Sequence, residues 1–283
     1  MTPGRYAVAT LEELWSGGLL LERRLSHGRA IQDETGITAD DVRDDALVAA
    51  CSAALDAMRA RVLSDARMRL IAEATAAAVV QTITVALAGL SIVTSPEHLD
   101  ADVETMRRCI PRGGEIAAPR GVPLVWKNGS GALLLHEAAG HPLEHGRADA
   151  AWPPWLQIDV PLAMRRATFR DVPLLRMTTV AARQTGAPFS LPEEHVEVLL
   201  VDGGSYEPLT DMVTLKIAAA ELVRGEEVTR VAPFELAGSR AAIAQAVKGA
   251  KGDPIRYPGV ICSREGQELV VASYAPVLLT EHP

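Results

Sequence analysis

The sequence predicts an α+β protein with a reduced N-terminal α/β region over residues 1–120 and a mostly β C-terminal domain over residues 121–283. Between them stands a helix that carries His136, Glu137 and His141. Three observations support this division. Apolar residues recur at helical spacing in the first hundred residues, β-branched runs bounded by turns dominate the second half, and an Ala/Leu-rich stretch beginning at Ala132 follows a glycine-containing turn. With 283 residues, 48% hydrophobic and 23% charged, the chain has ample material for a packed core. That excludes a disordered tail, a collagen-like fibre and a disulfide-stapled miniprotein.

Along residues 40–70, Val42, Leu47, Val48, Cys51, Leu55, Met58 and Val62 form an apolar stripe, so an amphipathic helix is expected with Cys51 on its buried face. The run VVQTITVALAGLSIVT is rich in β-branched residues and predicts a strand or strand pair. SPEHLDADVETMRRCI, starting at Ser95, has proline in its first turn, acids early and arginines late, the order a helix dipole favours. Cys109 stands at its end.

Pro123 to Trp126 reads as a short strand, KNGSG as a turn, and the segment from Ala132 as a helix. A Pro/Trp-rich loop (Trp152 to Trp155) follows. Beyond it, DVPLLRMTTV, HVEVLLVDGG, MVTLKIAAAELVRGEEVTRV, GVIC and QELVVASYAPVLL are expected strands, with a helix at SRAAIAQAVKGA. No repeat or low-complexity linker interrupts the chain, so the boundary near residue 120 rests on the change of pattern alone.

The formal charge of -8 and 4% aromatic content offer neither a phosphate-gripping surface nor a base-stacking platform, which argues against nucleic acid. Three widely separated cysteines (Cys51, Cys109, Cys262) and an N-terminus without a basic and apolar leader pattern point to a cytoplasmic protein with reduced thiols. Ala74 to Val93 is free of charge but contains Thr75, Gln81, Thr82, Thr84, Gly89 and Ser91, poor company for hydrocarbon. A membrane span is not expected there.

The densest chemistry lies in LLLHEAAGHPLEHGRAD, where His136, Glu137 and His141 form H-E-x-x-x-H. Five residues of regular helix offset two side chains by about 140°, too far for both imidazoles to face one ion. Gly140 before the second histidine and Pro142 after it are the residues that loosen, bulge or end a helix, and so allow His141 to swing back. A hydrolytic zinc takes a third protein ligand and leaves its fourth position to water. Glu144, His145, Asp149 and the distant Cys262 are candidates for it.

Plainer roles stand beside these. Cys262 reads by default as a small buried hydrophobe, Cys51 and Cys109 as structural, and His27, His98, His195 and His282 as solvated. Two nucleotide-binding patterns fail. In GVPLVWKNGSGALLLHE the third glycine of the dinucleotide fingerprint is replaced by Leu134, and KGAKGDP lacks the phosphate-loop spacing.

HEAAGHPLE, with NGSGALLL before it, resembles the signature of the TldD/PmbA metallopeptidase family. CSREGQ, from Cys262 to Gln267, is similar to that family's C-terminal C-G-K-x-G-Q stretch, and LLRMTTV around Arg176 to its R-M-T strand. The resemblance extends over residues from about 70 to 283 and implies that His136, His141 and Cys262 hold Zn²⁺. It departs at Ser263 and Arg264, which stand for Gly-Lys, in the tail after Gln267, and in a shorter N-terminal region.

On this resemblance Glu137 is the general base, taking the proton of a water whose pKa a bound zinc lowers toward about 7 and passing it to the departing amine. Glu144 is a candidate acceptor for a ligating histidine's ring N–H, or an ordinary solvated acid. Arg176 is a candidate fork for a substrate carboxylate, or a surface strand arginine. The implied activity is a zinc-dependent peptidase for short or unfolded peptides, including those matured into modified products. The implied partner is a homologous subunit, or a second copy of the chain forming a homodimer. The alternatives are a non-hydrolytic scaffold subunit and a zinc hydrolase of a small-molecule amide.

Overall fold

The structure is a computed structural model that describes residues 4–16, 19–33, 36–40, 66–75, 79–87, 90–94, 97–110, 113–147, 151–166, 173–186, 188–264 and 267–282. The chain divides into two compact units. The first spans residues 1–107 with the short segments 166–172 and 263–268, and the second spans 108–165, 173–262 and 269–283.

In the first unit, six strands among the described residues form an antiparallel sheet. They are β1 (Gly4–Ser16), β2 (Leu19–Asp33), β3 (Gly36–Asp40), β4 (Ala66–Thr75), β5 (Val79–Leu87) and β6 (Leu90–Thr94), in the order β3-β2-β1-β4-β5-β6. The expected strand pair in VVQTITVALAGLSIVT is β5 and β6. The helix expected over residues 40–70 lies largely outside the described residues, but its last part is corrected. Ala66–Leu70 opens β4, where pairing with β1 on one side and β5 on the other overrides a local composition that favours helix. Helix α1 (Leu99–Cys109) forms where the sequence places it. Asp100 and Asp102 lie in its first turn, and Val103, Met106 and Cys109 are buried along one face.

The second unit holds β7 (Leu124–Trp126), β8 (Leu156–Asp159), β11 (Thr179–Gln184), β12 (Glu194–Glu207), β13 (Met212–Arg224), β14 (Glu227–Val231), β15 (Phe234–Ser239), β16 (Val247–Arg264) and β17 (Gln267–Thr280). Their order is β14-β13-β12-β7-β17-β16, with β15 on β13, and with β11 on β17 carrying β8. Strands β9 (Leu162–Arg166) and β10 (Pro173–Met177) pair separately. Helix α4 (Arg240–Ala246) is capped by Ser239, whose hydroxyl accepts the Ala242 N–H at 3.2 Å. It is shorter than the segment SRAAIAQAVKGA predicts, because Val247 to Ala250 already belong to β16.

Strand β7 is the pivot of this unit. It pairs in parallel with β12 and antiparallel with β17, and all three of its residues are buried, the signature of a strand covered on both faces. Trp126 has no exposed surface, and its indole N–H donates to Thr280 Oγ1 at 3.0 Å, so the polar edge of the ring is satisfied inside the core. Among the described residues no helix is long and apolar enough to cross a membrane, and the part of Ala74 to Val93 that is described is strand.

Replacing Trp126 with alanine deletes this buried ring and its hydrogen bond. The expected loss is about 3–5 kcal/mol in urea unfolding followed by a signal from the second unit.

Candidate metal centre

After β7 the chain turns through Lys127 to Ser130 and enters a helix. The Ser130 hydroxyl donates to the Val198 carbonyl at 2.9 Å and pins the helix start to β12. The helix runs as α2 (Gly131–Leu135), a single π turn (His136–Gly140), and α3 (His141–Glu144). Every residue from Gly131 to Gly140 is buried, the polar His136 and Glu137 among them.

The π turn answers the problem of the five-residue spacing. The His141 N–H donates to the His136 carbonyl, an i→i+5 bond that makes five residues one turn and brings the two histidines onto one side. Pro142 is a local cause. It has no N–H to offer the Ala138 carbonyl, and its ring crowds that carbonyl in a regular α-helix. Gly140 is a second cause, since a Cβ there would lie 2.5 Å from Met177 Sδ, so the widened turn can press against β10 only without a side chain. The helix therefore bulges rather than ends, and His141 remains helical with φ -58 and ψ -41.

The His136 and His141 rings meet edge to face with centroids 5.0 Å apart. Cys262, from β16, completes a group in which one ligand atom from each of His136, His141 and Cys262 lies within 4.8 Å of the others. His141 Nε2 is 3.6 Å from Cys262 Sγ, while His141 Nδ1 faces Glu144 Oε2 at 3.0 Å. That second contact commits Nδ1 as the N–H donor and leaves Nε2 on the side of the sulfur. Two imidazoles and a sulfur, with His136 and Cys262 buried and the His141 side chain 16% exposed, form a group that can hold a metal ion.

The surroundings fit a cation. His136 Nδ1 and Glu137 Oε2 are buried without a hydrogen-bond partner, although Glu137 Oε2 lies 3.5 Å from His141 Nε2. Burial, and then the neighbouring His141, push the His136 pKa down to about 3, which leaves its imidazole neutral as a ligand must be. Burial raises Glu137 to about 7, with Glu144 adding to the rise and His141 opposing it. For His141, burial works downward, but hydrogen bonds to Cys262 and Glu144 and the charge of Glu137 outweigh it and hold the ring up at about 10. Metal binding to such groups competes with protons and releases them.

Glu144 and Arg176 form the layer behind. Glu144 Oε1 accepts the Met177 N–H at 2.7 Å and Arg176 Nε at 3.0 Å, so it is no solvated helix acid. Burial raises the pKa of Glu144, yet its bonds to His141 and to the Met177 N–H, with the charges of His141 and Arg176, bring it down to about 2. Arg176 corrects the expectation of a surface strand arginine. It has no exposed surface, and Nη2 donates to the Cys262 carbonyl at 2.8 Å and lies 3.0 Å from Cys262 Sγ, so its fork is turned to the protein and not to a substrate carboxylate.

Of the other candidate ligands, His145 is exposed and stands outside the three-residue group, and Asp149 lies outside the described residues, as does Cys51. His27 is described only as part of β2, and His98 and His282 are partly exposed. His195 is a correction. It is buried, with Nδ1 2.7 Å from the Pro192 carbonyl and Nε2 3.3 Å from Glu197. Cys109 is buried as expected, and burial pushes its thiol up to about 11, the mark of an inert structural cysteine.

One contributor was missed in the sequence. Strand β12 is irregular between Val198 and Gly204, and a Cβ at Gly204 would lie 2.7 Å from Glu137 Cγ and 2.9 Å from the Thr214 carbonyl. The doublet Gly203-Gly204 inside a strand is the available signal, since paired glycines there mark a bulge or a close approach. The Tyr257 hydroxyl, 2.8 Å from both the N–H and the carbonyl of Val201, satisfies the backbone that this irregularity frees.

The Glu144 cluster sets an acid dependence for the metal-free protein. A carboxyl held below its ordinary value adds stability that is complete above about pH 4.5 and is lost as pH falls toward about 2. Glu144→Gln, compared with the parent chain by urea unfolding across that interval, is expected to flatten this part of the profile.

The sequence matches no protein-family model and no curated protein. Among solved structures the chain is similar to TldE from Thermococcus kodakarensis, with a TM-score of 0.55 at 10% identity, covering 99% of this chain and 96% of that one. It is also similar to a candidate modulator of a DNA gyrase from Thermotoga maritima (TM-score 0.48, 10% identity, 99% and 94% covered). A further one, from Bacteroides thetaiotaomicron, has a TM-score of 0.44 at 9% identity, with 99% and 94% covered. The likeness to TldE reaches beyond residues 70–283, where the sequence resemblance lies, and includes the N-terminal strands. The α+β arrangement expected from the sequence is thus present, and it is the TldD/PmbA-type fold.

Proposed function

We propose that this chain is a zinc-dependent peptidase in which His136, His141 and Cys262 hold the ion and Glu137 is the general base. The observation that carries the reading is Glu137 itself. It follows the first histidine directly, is 3% exposed, has an oxygen without a hydrogen-bond partner, and is raised by burial to about 7. A buried carboxylate with an unpartnered oxygen beside a group of metal-binding side chains is placed to act as a general base in hydrolysis. A scaffold subunit has no use for it.

Two imidazoles and one thiolate are a three-ligand set of the kind catalytic zinc uses, with a fourth position left open. A zinc ion so held supplies Lewis acidity, lowering the pKa of water toward about 7 and polarising a carbonyl. The rest of the work belongs to the chain. Glu137 receives the proton of the attacking water and returns it to the leaving amine, while Glu144 keeps His141 in one tautomer by accepting its Nδ1–H.

The substrates of this reading are short or unfolded peptides, including precursors of modified peptides. The setting is the cytoplasm, where the Cys262 thiol stays reduced. The working assembly is a dimer, with a homologous TldD/PmbA-type subunit or with a second copy of this chain. A small-molecule amide as substrate uses the same residues and differs only in the bond cut.

The test measures zinc content and peptide hydrolysis together, on protein purified under reducing conditions. About one zinc per chain is expected, with marked loss in Cys262→Ser. Glu137→Gln is expected to keep its zinc while turnover falls by about 10²–10⁴-fold. Retained turnover in Glu137→Gln contradicts the assigned role, and no zinc in the parent chain after reconstitution turns the reading to a binding subunit.

A further inference from the structure

We propose that Arg176 is a positioning residue that locks Cys262 and, through Glu144, His141, and that its hydrogen bond to the sulfur sets how much charge the thiolate gives to a bound metal. The inference rests on the metal centre proposed above and adds a control that the three ligands do not themselves contain. Its basis is a continuous chain of contacts. Arg176 Nη2 is 3.0 Å from Cys262 Sγ and donates to the Cys262 carbonyl at 2.8 Å, Arg176 Nε donates to Glu144 Oε1 at 3.0 Å, and Glu144 Oε2 faces His141 Nδ1 at 3.0 Å.

One planar group thus joins the two ligands that come from different elements, α3 and β16. The side chains of Arg176 and Glu144 are both 0% exposed. A buried guanidinium and a buried carboxylate are each costly alone and tolerated when they complete one another's bonding. Lysine carries the same charge but has no fork that reaches Glu144 and Cys262 in one plane. The Met177 N–H, bound to the same Glu144 oxygen at 2.7 Å, fixes the carboxylate from the backbone of β10, so the clamp is set by the fold and not by a mobile side chain.

The electronic consequence follows from the geometry. A hydrogen bond into a thiolate lone pair withdraws density from the sulfur. The metal then receives less charge from that ligand and remains a stronger Lewis acid toward its open position. Outer partners of this kind are worth about 10–100-fold in metal affinity or activity.

Cobalt(II) is the probe, because a thiolate ligand gives it a sulfur-to-metal charge-transfer band whose energy follows the donor strength of the sulfur. In the full chain, Arg176→Lys is expected to shift that band to longer wavelength and to bind cobalt about 10–100-fold more weakly, because the loss of the clamp on Cys262 and Glu144 outweighs the stronger donation of the freed sulfur. Glu144→Gln keeps the arginine beside the sulfur, so its affinity falls while its band stays in place. Arg176→Gln is read in the same way if the lysine variant does not fold.

A band at the parent energy in a folded Arg176 variant overturns the proposal. A measurement without any variant stands beside it. In the parent chain loaded with an NMR-active cadmium isotope and labelled arginine, one guanidinium N–H is expected to couple to the metal through the sulfur. No such coupling also overturns the proposal. A parent chain that binds neither cobalt nor cadmium, or binds them without a sulfur signal, instead removes the metal centre on which the inference rests.

Discussion

The hydrogen bond from the His141 N–H to the His136 carbonyl is the constraint on which the site depends. It converts a spacing that a regular helix sends to different sides into one that returns to the same side. The remaining geometry follows in register. Once the chain resumes α geometry at His141, Glu144 lies three residues on and on the same face, which is why its carboxylate meets Nδ1 of that ring. Glu137, inside the widened turn, is carried against β12, and the absence of a side chain at Gly204 gives it room.

The second constraint is electrostatic. His136, Glu137, Glu144, Arg176 and Cys262 are all 4% exposed or less, in a place where water cannot screen them. Arg176 and the Met177 N–H stabilise Glu144 as a carboxylate, but Glu137 has no comparable partner and is raised by burial. Hydrogen bonds to Cys262 and Glu144 and the charge of Glu137 raise the pKa of His141, while burial keeps His136 neutral, the form in which an imidazole ligates a metal ion.

Much of this was legible in the residues. Gly140 and Pro142 announced that the helix would depart from α geometry, because each weakens regular backbone bonding for a reason that needs no tertiary context. Most strands of the second unit were readable from β-branched runs and turns, but β8, β9, β15 and the first part of β16 were not. Cys262 was another matter, for nothing in its spacing distinguishes it from a buried hydrophobe, and only the resemblance at CSREGQ singled it out. Arg176 and His195 were misread for one reason. Both lie on strands where adjacent residues are buried, Arg176 with Met177 and His195 with Val196, so alternation gives no sign of which side is solvent. Ala66–Leu70 was misread because helix propensity is a weak prior that two neighbouring strands outweigh.

Delivery of His136 and His141 to one ion by a π turn, together with the sulfur of Cys262, has a direct spectroscopic signature. X-ray absorption at the zinc edge of the loaded chain tests it most directly. One sulfur at about 2.3 Å and nitrogen ligands at about 2.0–2.1 Å are expected, with the sulfur contribution absent in Cys262→Ser. A shell of nitrogen and oxygen alone in the parent chain, unchanged by that substitution, contradicts it.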